Sequence, residues 1–449
     1  MTGARSVRLS SSEHERLLQA PNAWRVVALL AVANLLNFYD RTIPAILVEP
    51  IKEEFGLGDF EIGLLSAGFT VVYAIAGVFL GRMADRRSRR MIMGWGLLGW
   101  SLLTAASGGA WSFAVLLLVR LGVGVGEAAY APAANSTIAD LFPATARSKA
   151  VAVFQMGLPV GLTLAFFTTG FIAEAFDSWR APFFVAAVPG VVVALALFFV
   201  REPERGASEE KIPFHEARAS TDGPIRTIVR IPTMWWLIVS GIGLQVVANG
   251  VATFLVPLFQ RYFGLSLTDA ALHAGVVLGV TGILGLLLGG AVADRASRHS
   301  RRSRILVGAV ALLGSAPLAF LAFQLSHAQS ALFVVVFSLS WFLQFFFHTT
   351  ALPAVADVVP PALRSTAIAI FFAAFYLLGG AFGPLIGGAL SEYLASGAVD
   401  GAVSAEAYGL HSSLGMMTPI ALLVASFGLF GASRTITSDH ERMTSGGGG

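Results

Sequence analysis

The chain has 449 residues, 55% hydrophobic and only 13% charged, with a mean hydropathy of +0.73. A soluble domain carries about twice that charge fraction, so the composition excludes a water-soluble globule and indicates a polytopic membrane protein. The absence of cysteine excludes a disulfide framework and a thiolate metal site, and the net charge of +3 falls where membrane topology puts it, so no nucleic-acid partner is inferred.

The first 20 residues are polar and lack a short apolar core, so no cleaved signal peptide is expected. Twelve apolar spans follow, near residues 24–48, 60–83, 90–108, 112–139, 148–174, 180–200, 233–260, 268–293, 304–325, 330–355, 365–394 and 409–432. Each is close to the ~20 residues a helix needs to cross the hydrocarbon core. Pro44, Pro132, Pro159, Pro257 and Pro384 lie inside spans and predict kinks rather than breaks. The 48 glycines fit closely packed membrane helices.

The first span hides Asn37-Phe38-Tyr39-Asp40-Arg41. A charged side chain at a bilayer centre costs roughly 2.5–3.5 kcal/mol on insertion scales, so an acid and a base here need a reason. One reading makes Asp40 and Arg41 interfacial residues that snorkel to water. The fourth span favours another, because it buries Arg120 and Glu127 about two turns apart on one face. At ~1.5 Å per residue, Asp40 and Arg120 lie at a similar depth and Glu127 deeper. Asp40 is expected to pair with Arg120 when the outer side is closed, leaving Glu127 near the midplane; a static Arg120–Glu127 pair is the alternative. Asp40 and Glu127 are the candidate proton carriers, since a carboxylate with different neighbours in two conformations couples protonation to the change. Arg41 and Arg120 are the candidates for an anionic group, which guanidinium binds through a planar fork. Asn37 and Tyr39 accompany them.

The later spans carry no comparable interior charge. They offer Gln245 and Asn249, four residues apart, and His348 among aromatic residues that include Phe346. His348 is read either as a hydrogen-bonded structural residue or as a proton relay. A cavity polar on one side and aromatic on the other suits an amphipathic molecule.

Arginines 82, 86, 87, 89 and 90 fill one loop and arginines 295, 298, 301, 302 and 304 another, whereas the opposite loops hold few cations beyond Lys52, Arg180 and Arg261. The positive-inside rule therefore predicts cytoplasmic termini and a cytoplasmic central linker. The expected organisation is a tail (1–23), a six-helix bundle (24–201), a linker (202–231), a second six-helix bundle (232–433) and a tail (434–449).

The halves repeat each other. Gly81-Arg-Met-Ala-Asp85-Arg86-Arg-Ser-Arg89-Arg90 recurs as Gly290-Ala-Val-Ala-Asp294-Arg295-Ala-Ser-Arg298. Ala139-Asp140-Leu-Phe-Pro143-Ala-Thr-Ala-Arg147 recurs as Ala356-Asp357-Val-Val-Pro360-Pro-Ala-Leu-Arg364. Parallel six-helix repeats are a secondary-transporter architecture. The loop after the second span resembles the signature of the major facilitator superfamily, departing from it at Ser88, where a glycine is usual. Asn37-Phe-Tyr-Asp40-Arg41, Gly124-Val-Gly126-Glu127-Ala and Ile138-Ala-Asp140-Leu-Phe142 are similar to the bacterial-type spinster subfamily of lipid transporters.

The expected fold is thus all-α and membrane-integral, twelve helices in two pseudo-symmetric bundles. The resemblance implies a lysophospholipid or sphingolipid-like substrate, alternating access and the bacterial inner membrane. The permease for a small organic anion is the alternative. Gly81, Asp85, Arg86, Arg90, Asp140, Arg147, Asp294, Arg295, Asp357 and Arg364 are expected to gate the cytoplasmic side, with Arg86 and Arg90 reaching Asp140; Arg87 and Arg89 are expected only to enforce topology. No motif pairs a nucleophile with a base, so no enzyme is expected, and no cofactor or metal either. A monomer is expected.

Overall fold

A computed structural model describes residues 21–84, 87–142, 144–203, 224–360, 363–398 and 402–444. They are predominantly helical, joined by short turns and loops, without a strand among the described residues. The first half comprises α1 (Pro21–Ile46), α2 (Val48–Phe55), α3 (Asp59–Ala84), α4 (Arg89–Gly108), α5 (Phe113–Ala128), α6 (Tyr130–Leu141), α7 (Ala144–Gln155), α8 (Gly157–Ala175) and α9 (Ala181–Phe198). The short α10 (Pro224–Val229) leads into α11 (Pro232–Arg261), α12 (Leu267–Gly275), α13 (Thr281–Ser297), α14 (Arg301–Ala322), α15 (Ser330–Gln344), α16 (Phe346–Val358), α17 (Arg364–Ala374), α18 (Phe382–Ser396) and α19 (Ala405–Thr444). Two π turns, Val276–Val280 and Phe375–Gly380, join α12 to α13 and α17 to α18.

Each of the twelve expected spans contains a helix, and eleven are long and apolar enough to cross a membrane among the described residues. The remaining one, α4, is 20 residues long, and its two leading arginines, four glycines and hydroxyl residues dilute its hydropathy. It packs along α5 and α9 like its neighbours.

Proline sets where several columns are segmented. Leu47, Ala129, Met156 and Ala381 separate helices, and each lies three residues before a proline, at 50, 132, 159 and 384. A proline has no N–H for the carbonyl four residues earlier, so the last carbonyl of each preceding helical segment goes unbonded there. Ala129, Met156 and Ala381 nevertheless keep right-handed helical dihedrals, so the backbone of those columns continues without being cut. Pro257 leaves α11 uninterrupted.

Packing divides the molecule unevenly. One buried apolar cluster runs from Tyr39, Ile43 and Ile51 in the first half through α11, α14 and α19 in the second. A separate cluster, built on Trp100, Tyr130 and Phe154, belongs to the first half alone. The halves meet where α3 packs on α18 and α8 packs on α12. These contacts lie toward the face opposite the chain termini, called here the far face. There Gly63 and Gly388 bring α3 and α18 so close that a Cβ at Gly388 would strike the carbonyl of Asp59, and one at Gly63 the carbonyl of Pro384.

Candidate functional site

The site begins with Pro44. Its missing N–H leaves the main-chain carbonyl of Asp40 without a helical partner. Arg120 on α5 takes that place, donating Nη2 to Asp40 O at 3.1 Å. Arg120 is therefore held by the backbone of Asp40, and the two side chains form no ion pair, contrary to the sequence expectation. The Asp40 carboxylate turns toward α4, where Thr104 Oγ1 donates to Oδ2 at 3.4 Å while Oδ1 has no protein partner.

Glu127 pairs with Arg41 instead of Arg120. Arg41 Nη2 and Nε donate to Glu127 Oε2 at 2.8 and 3.2 Å, leaving Oε1 unpartnered. Asp40, Arg120 and Glu127 are 0%, 2% and 1% exposed, so these charges are withdrawn from solvent and must be neutralised locally. The Arg41 guanidinium also lies over three rings, 4.4 Å from Tyr73, 5.1 Å from Phe69 and 5.2 Å from Phe38. Those aromatic faces fix the cation in the direction of a cavity.

That cavity has a volume of about 280 Å³. Arg41, Arg120, Gln245 and Asn249, all singled out from sequence, line it. So do Ser66, Thr70, Tyr73, Thr253 and Tyr376, which sequence reasoning missed, together with an apolar wall that includes Phe38, Ile62, Leu158, Leu162 and Phe166. Ser66 and Thr253 share a 3.1 Å hydrogen bond between the halves. The polar residues of α3 and α11 recur every three or four positions (66, 70, 73 and 245, 249, 253), which was a readable signal.

Other expected residues lie elsewhere. Tyr39 shares a hydrogen bond of 2.8 Å with Thr168, joining α1 to α8. Asn37 is buried beside Glu127. His348 sits among Phe345, Phe347 and Phe375, and Phe346 packs on Gly289; neither lines the cavity.

Among the described residues, several of the gate candidates are bonded within their own half. Arg89, not Arg90, reaches Asp140, and it also binds Ser136, Glu202 and the Pro203 carbonyl. The reason is local: Ser88 caps α4, which turns Arg89 inward to 1% exposure, while Arg90 meets the Val200 carbonyl at 3.5 Å. Burial would raise the Glu202 carboxyl, but bonds from Ser88 and Arg89 hold it below the usual range. The second half repeats the plan. Arg304 and, at 3.9 Å, Arg301 pair with Asp357. Arg147 and Arg364 each donate to a carbonyl eight residues earlier, Ala139 and Ala356. Asp294 and Arg295 lie in the last turn of α13, and Gly81 near the end of α3. Asp85 and Arg86 lie outside the described residues.

At the far face the few cations of the acidic loops find their partners. Arg261 binds Asp59 through two bonds of 2.9 Å and Glu49 at 2.6 Å; Lys52 binds Asp59 at 2.7 Å, and Ser391 donates to Asp59 at 2.6 Å. Two carboxylates also cap helices across the divide. Glu392 of α18 accepts from Phe60 N at 2.9 Å at the start of α3, and Glu174 of α8 accepts from Thr268 N at 3.0 Å at the start of α12. The cavity is thus sealed on this side by charges contributed from both halves.

Two helical bundles that share a polar, charge-bearing cavity and close over one end of it define a membrane transporter. The chain belongs to the Major Facilitator Superfamily, whose family description matches residues 30–384, and so to a family of transporters rather than enzymes. Within it the chain is spinster-like. It is 32% identical over 409 residues to protein spinster homolog 1 of Homo sapiens, covering 82% of this chain and 73% of that one. It is 30% identical over 374 residues to an MFS-type efflux pump of Mycolicibacterium smegmatis, covering 83% and 85%. Among solved structures, a bacterial homolog of the human lysosomal transporter spinster, inward-facing and unoccupied, superposes with a TM-score of 0.85 at 27% identity, covering 94% of this chain and 99% of that one. A D-xylose–proton symporter shares the fold, with a TM-score of 0.71 at 19% identity.

Proposed function

We propose that this transporter is a proton-coupled secondary carrier moving an amphipathic anion, a lysophospholipid or sphingolipid-like molecule, by alternating access. The observation that carries the reading is the cavity wall, where two guanidiniums stand on an otherwise neutral, largely apolar and aromatic surface. An anionic head group fits the guanidinium forks, and an acyl chain fits the apolar wall. Similarity to spinster proteins supports the lipid class.

Coupling follows from the Arg41–Glu127 pair. While Glu127 is ionised it neutralises Arg41; once protonated it releases the guanidinium for a substrate anion. Asp40, held apart from the cavity, is a second proton acceptor beside Arg120. The terminal face is the cytoplasmic one by the arginine distribution, so the far-face seal corresponds to an inward-open arrangement, in agreement with the state of the spinster homolog it superposes on. The carrier works as a monomer in a bacterial inner membrane, its halves moving as the bodies 24–201 and 232–433 and its cytoplasmic loops closing in the opposite state.

A second reading rests on the cavity volume. At about 280 Å³ it lies at the small end of ligand pockets, which suits a soluble organic anion without a chain. Flux of a labelled lysophospholipid in proteoliposomes, with and without a pH gradient, separates the two. The lipid reading predicts gradient-stimulated flux in the parent chain and loss of the stimulation in Glu127→Gln. Absence of lipid flux, with uptake of a soluble carboxylate or phosphate, establishes the second reading.

A further inference from the structure

A second cavity lies at the terminal face of the second half, apart from the one between the halves. It has a volume of about 260 Å³ and is bounded by the α10–α11 junction, the end of α16 and the end of α19. The sequence provides it by prolonging the last span. α19 runs for 40 residues, Ala405–Thr444, so its final turns project beyond the apolar stretch that ends near residue 432. Two residues fasten that projection. Asp439 accepts from Thr233 N at 2.9 Å and from Thr233 Oγ1 at 2.6 Å at the start of α11, and His440 Nδ1 donates to the Asp357 carbonyl at 2.6 Å.

Two guanidiniums from different elements reach this cavity, Arg230 just after α10 and Arg442 on α19. Arg230 is exposed and makes no side-chain hydrogen bond or ion pair among the described residues. Asp439 is the acid among the lining residues. It is buried, and its Oδ2 is committed to the N-terminus of α11, where its charge answers the helix dipole. Arg442 Nη1 stands 3.7 Å from Asp439 Oδ1, beyond hydrogen-bond length. The wall therefore keeps an excess of cationic donors, and the free guanidinium fork of Arg230 fits a phosphate.

The mouth of the cavity is placed for a lipid. Ile225 and Val229 on α10 and Trp235 on α11 are exposed, and Trp235 Nε1 donates to Val229 O at 2.8 Å, which holds α10 against the first turn of α11. An exposed tryptophan at the end of a span marks the membrane interface, and exposed apolar residues on a flanking helix sit at the head-group boundary. Arg230 lies between these anchors in sequence and so stands near the level of the lipid phosphates. We propose that the cavity holds the head group of an anionic phospholipid from the surrounding bilayer, its phosphate between Arg230 and Arg442 and its hydroxyl groups near Thr227. Basic pockets between membrane helices take such head groups. The lipid is a resident one, distinct from any transported molecule, and it ties the linker helix to the last helix of the second half.

The test is native mass spectrometry of the purified, delipidated full-length chain, titrated with phosphatidylglycerol or phosphatidylcholine of the same acyl chains. Inorganic phosphate, followed by calorimetry, is the chain-free anion. The first phosphatidylglycerol is expected to bind at least fivefold more tightly than the first phosphatidylcholine. Arg230→Gln combined with Arg442→Gln is expected to remove that preference. Arg434 is exposed on α19 outside the cavity, and Arg434→Gln is expected to leave the preference intact. A preference below fivefold in the parent chain overturns the proposal. So does one that survives the double substitution, or one that Arg434→Gln also removes, since the attraction then belongs to the basic surface at large. Inorganic phosphate that binds as tightly as phosphatidylglycerol, and is lost with the double substitution, overturns the lipid and leaves a site for a soluble phosphate.

Discussion

Within α1 the carbonyl of Asp40 is available to Arg120 because Pro44 cannot donate to it, so a residue without polar chemistry of its own decides where a buried cation sits. Pro44→Ala restores the missing N–H, which then competes with Arg120 for that carbonyl. The expected outcome is a melting temperature close to or below the parent's, because the helix bond regained, worth about 0.5–1.5 kcal/mol, is offset by the charge-assisted bond that Arg120 gives up. Anion affinity is expected to fall about threefold to tenfold, because Arg120 loses its anchor; calorimetry and ligand titration on one preparation check both. The ionised residues of α1 and α5 were legible in the sequence because a charge inside an apolar span is conspicuous. Their pairing was not: Arg41 and Arg120 both reach the depth of Glu127, and only the turn of each helix decides that Arg41 binds it. Tyr73 and Tyr376 were silent, since a tyrosine in an apolar span reads equally well as packing.

Where helices of the two halves meet, buried charge and backbone contact act together. Arg261 on α11 holds Asp59 on α3 and Glu49 on α2, with Ser391 of α18 completing the set. Removing one partner of a buried pair typically costs about 3–5 kcal/mol, and Lys52, which still neutralises Asp59, places this case at the lower end. Arg261→Ala is therefore expected to favour a conformation open at the far face. The chain has no cysteine, so Ser66→Cys on the cavity wall is a clean reporter. An impermeant thiol reagent applied from the far face is expected to label it at least tenfold faster in the Arg261→Ala background. An unchanged rate removes the ion cluster from the closure. Spans and prolines were readable here because hydropathy and a missing N–H act locally. The far-face cluster was not, since Asp59 and Arg261 lie 202 residues apart. The two π turns left no mark in the sequence either, although the second one places Tyr376.

Seen whole, the molecule applies one plan twice. Arg89 meets Asp140 as Arg304 meets Asp357, and Arg147 reaches the Ala139 carbonyl as Arg364 reaches that of Ala356. The repeated loops announced this doubling in the sequence. They did not announce its purpose, for among the described residues these arginines brace their own half. Among the described residues, the bonds between halves come from outside the repeats: the Arg261 cluster on Asp59 and Glu49, Ser66 with Thr253, and two carboxylate caps, Glu174 on Thr268 and Glu392 on Phe60.

Those two caps are reciprocal. Each half offers the other a carboxylate and receives one at a helix start, which is how the identical subunits of a twofold dimer touch. The covalent linker then supplies proximity, and recognition resides in the two surfaces themselves. The chain is in this sense a dimer whose subunits share one polypeptide. Residues 1–201 and 202–449, produced as separate chains in one membrane, are expected to copurify and to recover transport. Substituting Glu174 and Glu392 together by glutamine is expected to abolish that recovery at a level of damage the continuous chain survives.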